Sequence, residues 1–146
     1  MSELLCTKVQ VVCFSADDNA VQNYEQIFKN YVNIDHIPAA CDEYKENADL
    51  LAWTSLWGEA NFTSTLLKSN CRETKQPDNG SIYIHIKGAS TPTSTSVKRY
   101  IVSFRDENHF HEAIVDTIYS RLNASHPTEL MVAATYVRRG GFSIAP

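Results

Sequence analysis

The sequence predicts one α+β domain in which two helices cover the same face of an antiparallel sheet. Three observations carry this. The 146 residues fit the size of a single domain. A composition of 43% hydrophobic and 21% charged residues supports a globular core and excludes wholesale disorder. The C-terminal half reads strand, strand, helix, helix, strand, strand, an order that segregates helices to one side of a sheet.

Residues 7–14, rich in β-branched side chains and followed by a polar run, read as a first strand. Over 21–32 the apolar residues Val21, Tyr24, Ile27, Phe28 and Tyr31 recur at spacings of three and four and predict a helix, although Tyr31 to Ile34 also suits the start of a strand. Residues 42–58, with Trp53 and Trp57, have no clean period and predict an irregular connector packed by its aromatics. Beyond it, 61–69 and 81–87 predict strands, the second alternating Ile82, Ile84 and Ile86 with Tyr83 and His85. A polar loop over 70–80 joins them and carries Cys71 and Asp78. After the Gly, Ser, Thr and Pro run at 88–96, Val97, Tyr100, Ile101 and Phe104 mark one face of a first helix. A turn at 105–108 leads to a second helix from about His109 to Leu122. Residues 130–137 and 142–144 form the closing strands around the turn Arg138-Arg139-Gly140-Gly141.

Thirteen basic against seventeen acidic residues leave a charge of -4, which provides no broad cationic field for a nucleic-acid backbone and favours a small-molecule ligand. No apolar run approaches the ~20 residues that span a bilayer, and the start lacks the basic and apolar regions of a secretory signal, so no membrane association and a cytoplasmic location are expected. Cys6, Cys13, Cys41 and Cys71 are irregularly spaced without a C-x-x-C pair, which signals neither a zinc site nor a disulfide framework.

Cys71 stands apart because a reactive thiol needs partial exposure and a polar setting, which a turn-forming loop provides; an ordinary loop cysteine is the alternative. Asp78 suits a proton donor or acceptor if its loop folds back toward the thiol, or else a plain turn residue before Asn-Gly. His111 and Glu112 open the second helix, where a carboxylate is favoured by the helix dipole and can accept two hydrogen bonds from a purine-like edge. His109 and His111 lie two apart, on different helical faces, so no metal site is expected. Arg138, Arg139, Gly140 and Gly141 combine guanidinium forks with backbone that can approach closely, which suits phosphate, or a solvated hairpin turn.

Three blocks agree in order and spacing with one family: LLKSNCRETKQPDNGS (66–81), KRYIVSFRDENHFHE (98–112) and YVRRGGFSIAP (136–146). They resemble the 7-cyano-7-deazaguanine reductases, the QueF nitrile reductases, through the patterns C-x-x-x-x-Q-P-D and S-F-R-x-x-x-x-F-H-E. The resemblance implies a tunnelling fold, a β-β-α-α-β-β module that assembles around a shared barrel. The whole chain would be one such module, with an N-terminal strand and irregular segment at 7–60 and a catalytic core at 61–146. By resemblance, Cys71 is the nucleophile that forms a thioimide with the nitrile, Asp78 and His111 serve proton transfer, and Glu112 anchors the deazaguanine edge. NADPH is the implied hydride donor, with Arg138, Arg139, Gly140 and Gly141 as its contacts. The implied partners are a 7-deazaguanine substrate and a second copy of the chain or a partner module, with no direct nucleic-acid binding.

Two positions depart from the family pattern. Where single-module members carry an E-S-K-S-x-K motif for NADPH, this chain has Thr93-Ser94-Thr95-Ser96-Val97-Lys98, so the cofactor motif is incomplete. Asn79 replaces an aromatic after Asp78, which predicts looser packing over the substrate. The blocks are closest to the C-terminal module of two-module reductases, in which the cofactor motif sits on the other module. Two rival readings follow: a reductase-like amidinotransferase that uses the same thioimide without NADPH, and a subunit that binds a deazapurine without catalysis.

Overall fold

The computed structural model describes residues 28–139 and 142–144. The expected strand at 7–14, most of the expected helix at 21–32, and Gly140 and Gly141 lie outside the described residues. Eight main elements follow in order: β1 (Val32–Asn33), β2 (Gly58–Cys71), β3 (Pro77–Gly88), α1 (Ser94–Val102), β4 (Asn108–His109), α2 (His111–Asn123), β5 (Glu129–Arg139) and β6 (Phe142–Ile144). They form a mixed α+β domain with one sheet and two helices, its strands ordered β1-β2-β3-β5-β6 with β4 beside β2. The three pairings β2–β3, β3–β5 and β5–β6 are antiparallel, whereas the short β1 and β4 both run parallel to β2, a departure from the wholly antiparallel expectation. Val32 is therefore strand and not the end of the expected helix, and with Asn33 it follows the alternative reading of Tyr31 to Ile34 as the start of a strand, because the two pair with Phe62 and Thr63.

Alternation along β3 sends Ile82, Ile84 and Ile86 to one side, where they are fully buried with Val97, Tyr100, Ile101 and Phe104 from the α1 segment and Ile114, Ile118 and Leu122 from α2. Both helices thus share a single core on one face. Each of these fully buried aliphatics contributes about 1.5–3 kcal/mol. Thr93 caps α1 by accepting from the Ser96 N–H at 3.4 Å, and a 3-10 turn at Ser103–Asp106 ends it. The connector at 42–58 is irregular apart from a short 3-10 turn at Ala48–Leu50, but only one of its tryptophans packs. Trp53 lies against the core, bridged to Pro92, while Trp57 is 64% exposed.

The expected polar loop at 70–80 is shorter than the sequence suggested. β2 continues through Cys71 and β3 starts at Pro77, where a residue without an N–H is tolerated at the first position of a strand. Cross-strand register pairs Ser69 with Asp78 and Asn70 with Pro77, so Asp78 belongs to a strand and not to a turn. Asn79 alternates to the opposite face from Asp78 and is exposed, which takes it away from the pocket that its family counterpart was expected to cover.

One irregularity sets the facing of everything at this end of the sheet. Ser64 pairs with Ile82 but Leu67 pairs with Gly80, so β2 carries one residue more than β3 between them, a β-bulge. Before it, the buried positions are Phe62 and Ser64; after it they are Leu67 and Ser69. The change from even to odd numbers turns Cys71 toward the helix-covered face. Asp35 holds the bulge: its carboxylate accepts from the Ser64 hydroxyl at 2.6 Å, the Thr65 hydroxyl at 2.7 Å and the Thr65 N–H at 3.1 Å. Leu66 N–H donates to Ser64 Oγ at 3.1 Å. Lys98 in turn fixes the Asp35 backbone by donating to the carbonyls of Asp35 and Ile37, each at 2.7 Å.

Burial alone would raise the Asp35 carboxyl, but the hydrogen bonds from Ser64, Thr65 and Asn33 outweigh it and hold the group below its ordinary value. A carboxyl lowered by folding stabilises the protein at neutral pH, and that contribution disappears as the pH falls through the folded value. Asp35→Ala is expected to cost about 1–3 kcal/mol in urea unfolding at pH 7. The gap from the parent protein should narrow on acidification; a gap that widens would show that the carboxylate is not the clamp.

Candidate active site

The five residues between β2 and β3 build a setting for a thiolate. Cys71 donates its N–H to the Gln76 carbonyl at 2.8 Å, and its own carbonyl accepts from Lys75 N–H at 2.9 Å, which closes a single helical turn. Lys75 completes the reversal in the left-handed region, at φ 57. Cys71 thereby sits where a helix N-cap residue would, with amides of the turn directed at its side chain. The Thr74 hydroxyl, then the Thr74 and Glu73 N–H groups, hydrogen-bond the sulfur and lower its thiol below the ordinary value, against partial burial and the negative charge of Asp78. The side chain is half-buried and free of any disulfide.

Asp78 lies across from Ser69 on the same face of the hairpin as Cys71 and is only 5% exposed. Its Oδ2 is 3.2 Å from His111 Nε2, although that buried nitrogen makes no hydrogen bond of acceptable geometry. The His111 imidazole packs on the Tyr136 ring, centroids 4.0 Å apart and planes tilted by 32°. Tyr136 has room because it lies opposite Gly80: a Cβ there would come within 2.8 Å of the Thr135 carbonyl and 3.0 Å of the Tyr136 ring. Burial, then the charges of Asp78 and Glu112, push the Tyr136 phenol above its ordinary value.

The spacing of the S-F-R-x-x-x-x-F-H-E block acquires a physical reason. Ser103 closes α1 by donating to the Tyr100 carbonyl at 2.7 Å, and Phe104 enters the core. The chain then runs beside the end of β2, where the Arg105 and Glu107 carbonyls accept from Asn70 at 3.3 and 2.8 Å and β4 pairs Cys71 with His109. Phe110 opens α2 immediately afterwards, so His111 and Glu112 emerge at the Cys71 end of the sheet. Glu112 is exposed in the first turn of α2, where its charge suits the helix dipole. His109 belongs to β4 and not to the helix that was expected to start there, and its Nε2 lies 3.2 Å from Glu107.

Of the sequence-predicted site residues, Cys71, Asp78, His111 and Glu112 are brought to one end of the domain. Arg138 and Arg139 end β5, and β6 pairs back from Phe142. Sequence reasoning missed Ser69, Thr74, Gly80 and Tyr136, all within a few positions of the predicted residues along a strand or across a register pair. The first turns of α1, at 93–98, do not fit a dinucleotide phosphate: Lys98 is spent on the Asp35 and Ile37 carbonyls, and the Ser96 hydroxyl on those of Ala52 and Thr93. A cavity of about 500 Å³ near Trp53 and Arg121 opens at the far end of α2, and its guanidinium is already paired with Glu46.

Residues 77–146 match the family described as QueF-like protein. The full chain is 35% identical to the NADPH-dependent 7-cyano-7-deazaguanine reductase of Buchnera aphidicola subsp. Schizaphis graminum, of which it covers 56%. It is 40% identical over 120 residues to the protein of the same name from Acidovorax ebreus, with 79% of this chain and 42% of that protein aligned. Over 87 residues it is 45% identical to that of Psychrobacter cryohalolentis, with 59% and 30% aligned. The chain spans about half the length of the curated relatives it matches over most of its own.

Two substitutions probe this geometry. Thr74→Val should raise the Cys71 thiol and slow iodoacetamide alkylation at neutral pH, with the two proteins converging once both thiols are ionised; equal rates near pH 7 would remove Thr74 from the thiolate's support. Gly80→Ala should cost about 1–3 kcal/mol in chemical unfolding, because backbone and not a flexible side chain opposes the new methyl.

Proposed function

We propose that this chain, whose residues 77–146 belong to the QueF-like family, is a nitrile reductase module that converts 7-cyano-7-deazaguanine to 7-aminomethyl-7-deazaguanine for queuosine synthesis. The observation that carries the reading is a thiol lowered by the amides and hydroxyl of its own turn, on the same sheet face as a buried carboxyl.

A nitrile carbon is a weak electrophile, and addition needs both a strong nucleophile and a proton for the nitrogen. Cys71 thiolate forms the S–C bond while one C–N π bond breaks, and the nitrogen takes a proton from the Asp78 carboxyl. The products are a neutral thioimide and a carboxylate, so charge is conserved. His111, 3.2 Å from Asp78, assists the proton's movement, and the exposed Glu112 carboxylate receives the donor edge of the heterocycle.

NADPH, when bound, supplies the hydride that the thioimide carbon requires. Arg138, Arg139, Gly140 and Gly141 are the proposed contacts for its phosphates, since Lys98 and Ser96 of the segment at 93–98 are committed elsewhere. Residues 61–146 form the catalytic core of a tunnelling-fold module, and its partner is a second copy or a companion module that completes the cofactor site. The amidinotransferase reading keeps the thioimide and dispenses with hydride; the commitment of Lys98 is the observation in its favour. The absence of a membrane-length apolar helix among the described residues accords with a cytoplasmic enzyme.

Intact-mass analysis of the chain with 7-cyano-7-deazaguanine should reveal one adduct, lost in Cys71→Ala. In Asp78→Asn it should form roughly 10²–10⁴-fold more slowly. Oxidation of added NADPH separates reductase from amidinotransferase. An adduct that persists in Cys71→Ala would end the nucleophile assignment.

A further inference from the structure

Two hydroxyls beside Asp78 have no use in the resting protein. Ser69 Oγ is fully buried and Tyr136 Oη belongs to a side chain 5% exposed, and neither has a hydrogen-bond partner among the described residues. Such groups are rare in folded proteins because each forfeits its hydration without replacement, and they persist where a later state uses them. Both residues neighbour the same carboxyl. Ser69 is its directly opposed cross-strand neighbour, which places the two Cβ atoms about 4.5–5.5 Å apart. Tyr136 is held by Gly80 below and the His111 imidazole beside it, and its hydroxyl feels the charge of Asp78.

We infer that Ser69 and Tyr136 are positioning residues for Asp78: two donors stored without partners that turn onto the carboxylate once it has given up its proton. The inference deepens the nitrile-addition reading and rests on it. During addition the negative charge leaves the Cys71 sulfur and arrives on Asp78, in a site that also contains the Glu112 charge and the His111 imidazole. A carboxylate formed in a buried setting needs donors at that moment, and hydroxyl rotors supply them without moving backbone. Neither O–H bond breaks. The hydroxyls accept no proton and contribute only hydrogen bonds to the product charge.

The test uses the full chain with Ser69→Ala, Tyr136→Phe and both together, each also in an Asp78→Asn background. Adduct formation with 7-cyano-7-deazaguanine should slow about tenfold for each single change at saturating substrate, with the half-saturating concentration unchanged and the melting temperature equal or higher. In Asp78→Asn, where no carboxylate arises, the same changes should have no further effect. A structural role predicts the reverse: lower melting temperatures, and rate effects that survive in Asp78→Asn. Adduct rates equal to the parent's overturn the inference and leave the nitrile reading standing. A parent chain that forms no adduct overturns both.

Discussion

The extra residue that β2 carries between Ser64 and Leu67 decides which side of the sheet Cys71 faces. Strand side chains alternate with period two, so one inserted residue reverses the facing of all that follow until the strand ends. Without it Cys71 would point to the face opposite the helices, the face of Asn79, and Asp78 would be left under the helices without a thiol. The clamp at Asp35 is made of five hydrogen-bonding groups drawn from the preceding connector, β2 and α1. A segment remote from Cys71 in sequence thereby fixes its direction.

Around that constraint, short local devices prepare each group. The single helical turn after Cys71 offers amides and a hydroxyl to sulfur, which favours the ionised thiol. The strap from Ser103 to Phe110 ties the end of α1 to the end of β2 and starts α2 there, which joins the strand of Cys71 to the helix bearing His111 and Glu112. Gly80 lets the Tyr136 ring lie against β3, and that ring supports the imidazole over Asp78. At Cys71 burial works against the ionised thiol, and donors of its own turn outweigh it.

Much of this was legible in the residues. The alternation of Ile82, Ile84 and Ile86 and the helical spacing of Ile114, Ile118 and Leu122 report the core directly, because burial of apolar side chains imposes those periods. The family blocks pointed to Cys71, Asp78, His111 and Glu112 as a set. What stayed hidden depends on pairing across strands. The polar residues at 70–80 look like a loop, yet Pro77, Asp78 and Gly80 belong to β3 because their neighbours in β2 and β5 hold them. The bulge leaves no local signature that separates it from regular alternation, and Ser69 and Tyr136 acquire significance only when register places them beside a carboxyl. Asp35 and Lys98, far apart in sequence, meet only in three dimensions.

The ammonium of Lys98 links two regions that protein engineers would treat as independent. It reaches back to the Asp35 and Ile37 carbonyls, so the approach to α1 and the bulge share one anchor. Grafting a charged phosphate-gripping sequence onto residues 93–98 would recruit that ammonium for the new ligand and slacken the support beneath the reactive strand. Gains in dinucleotide affinity obtained there would be traded against alignment of the sulfur, which makes the opposite margin of the sheet, at β5 and β6, the safer place to redesign.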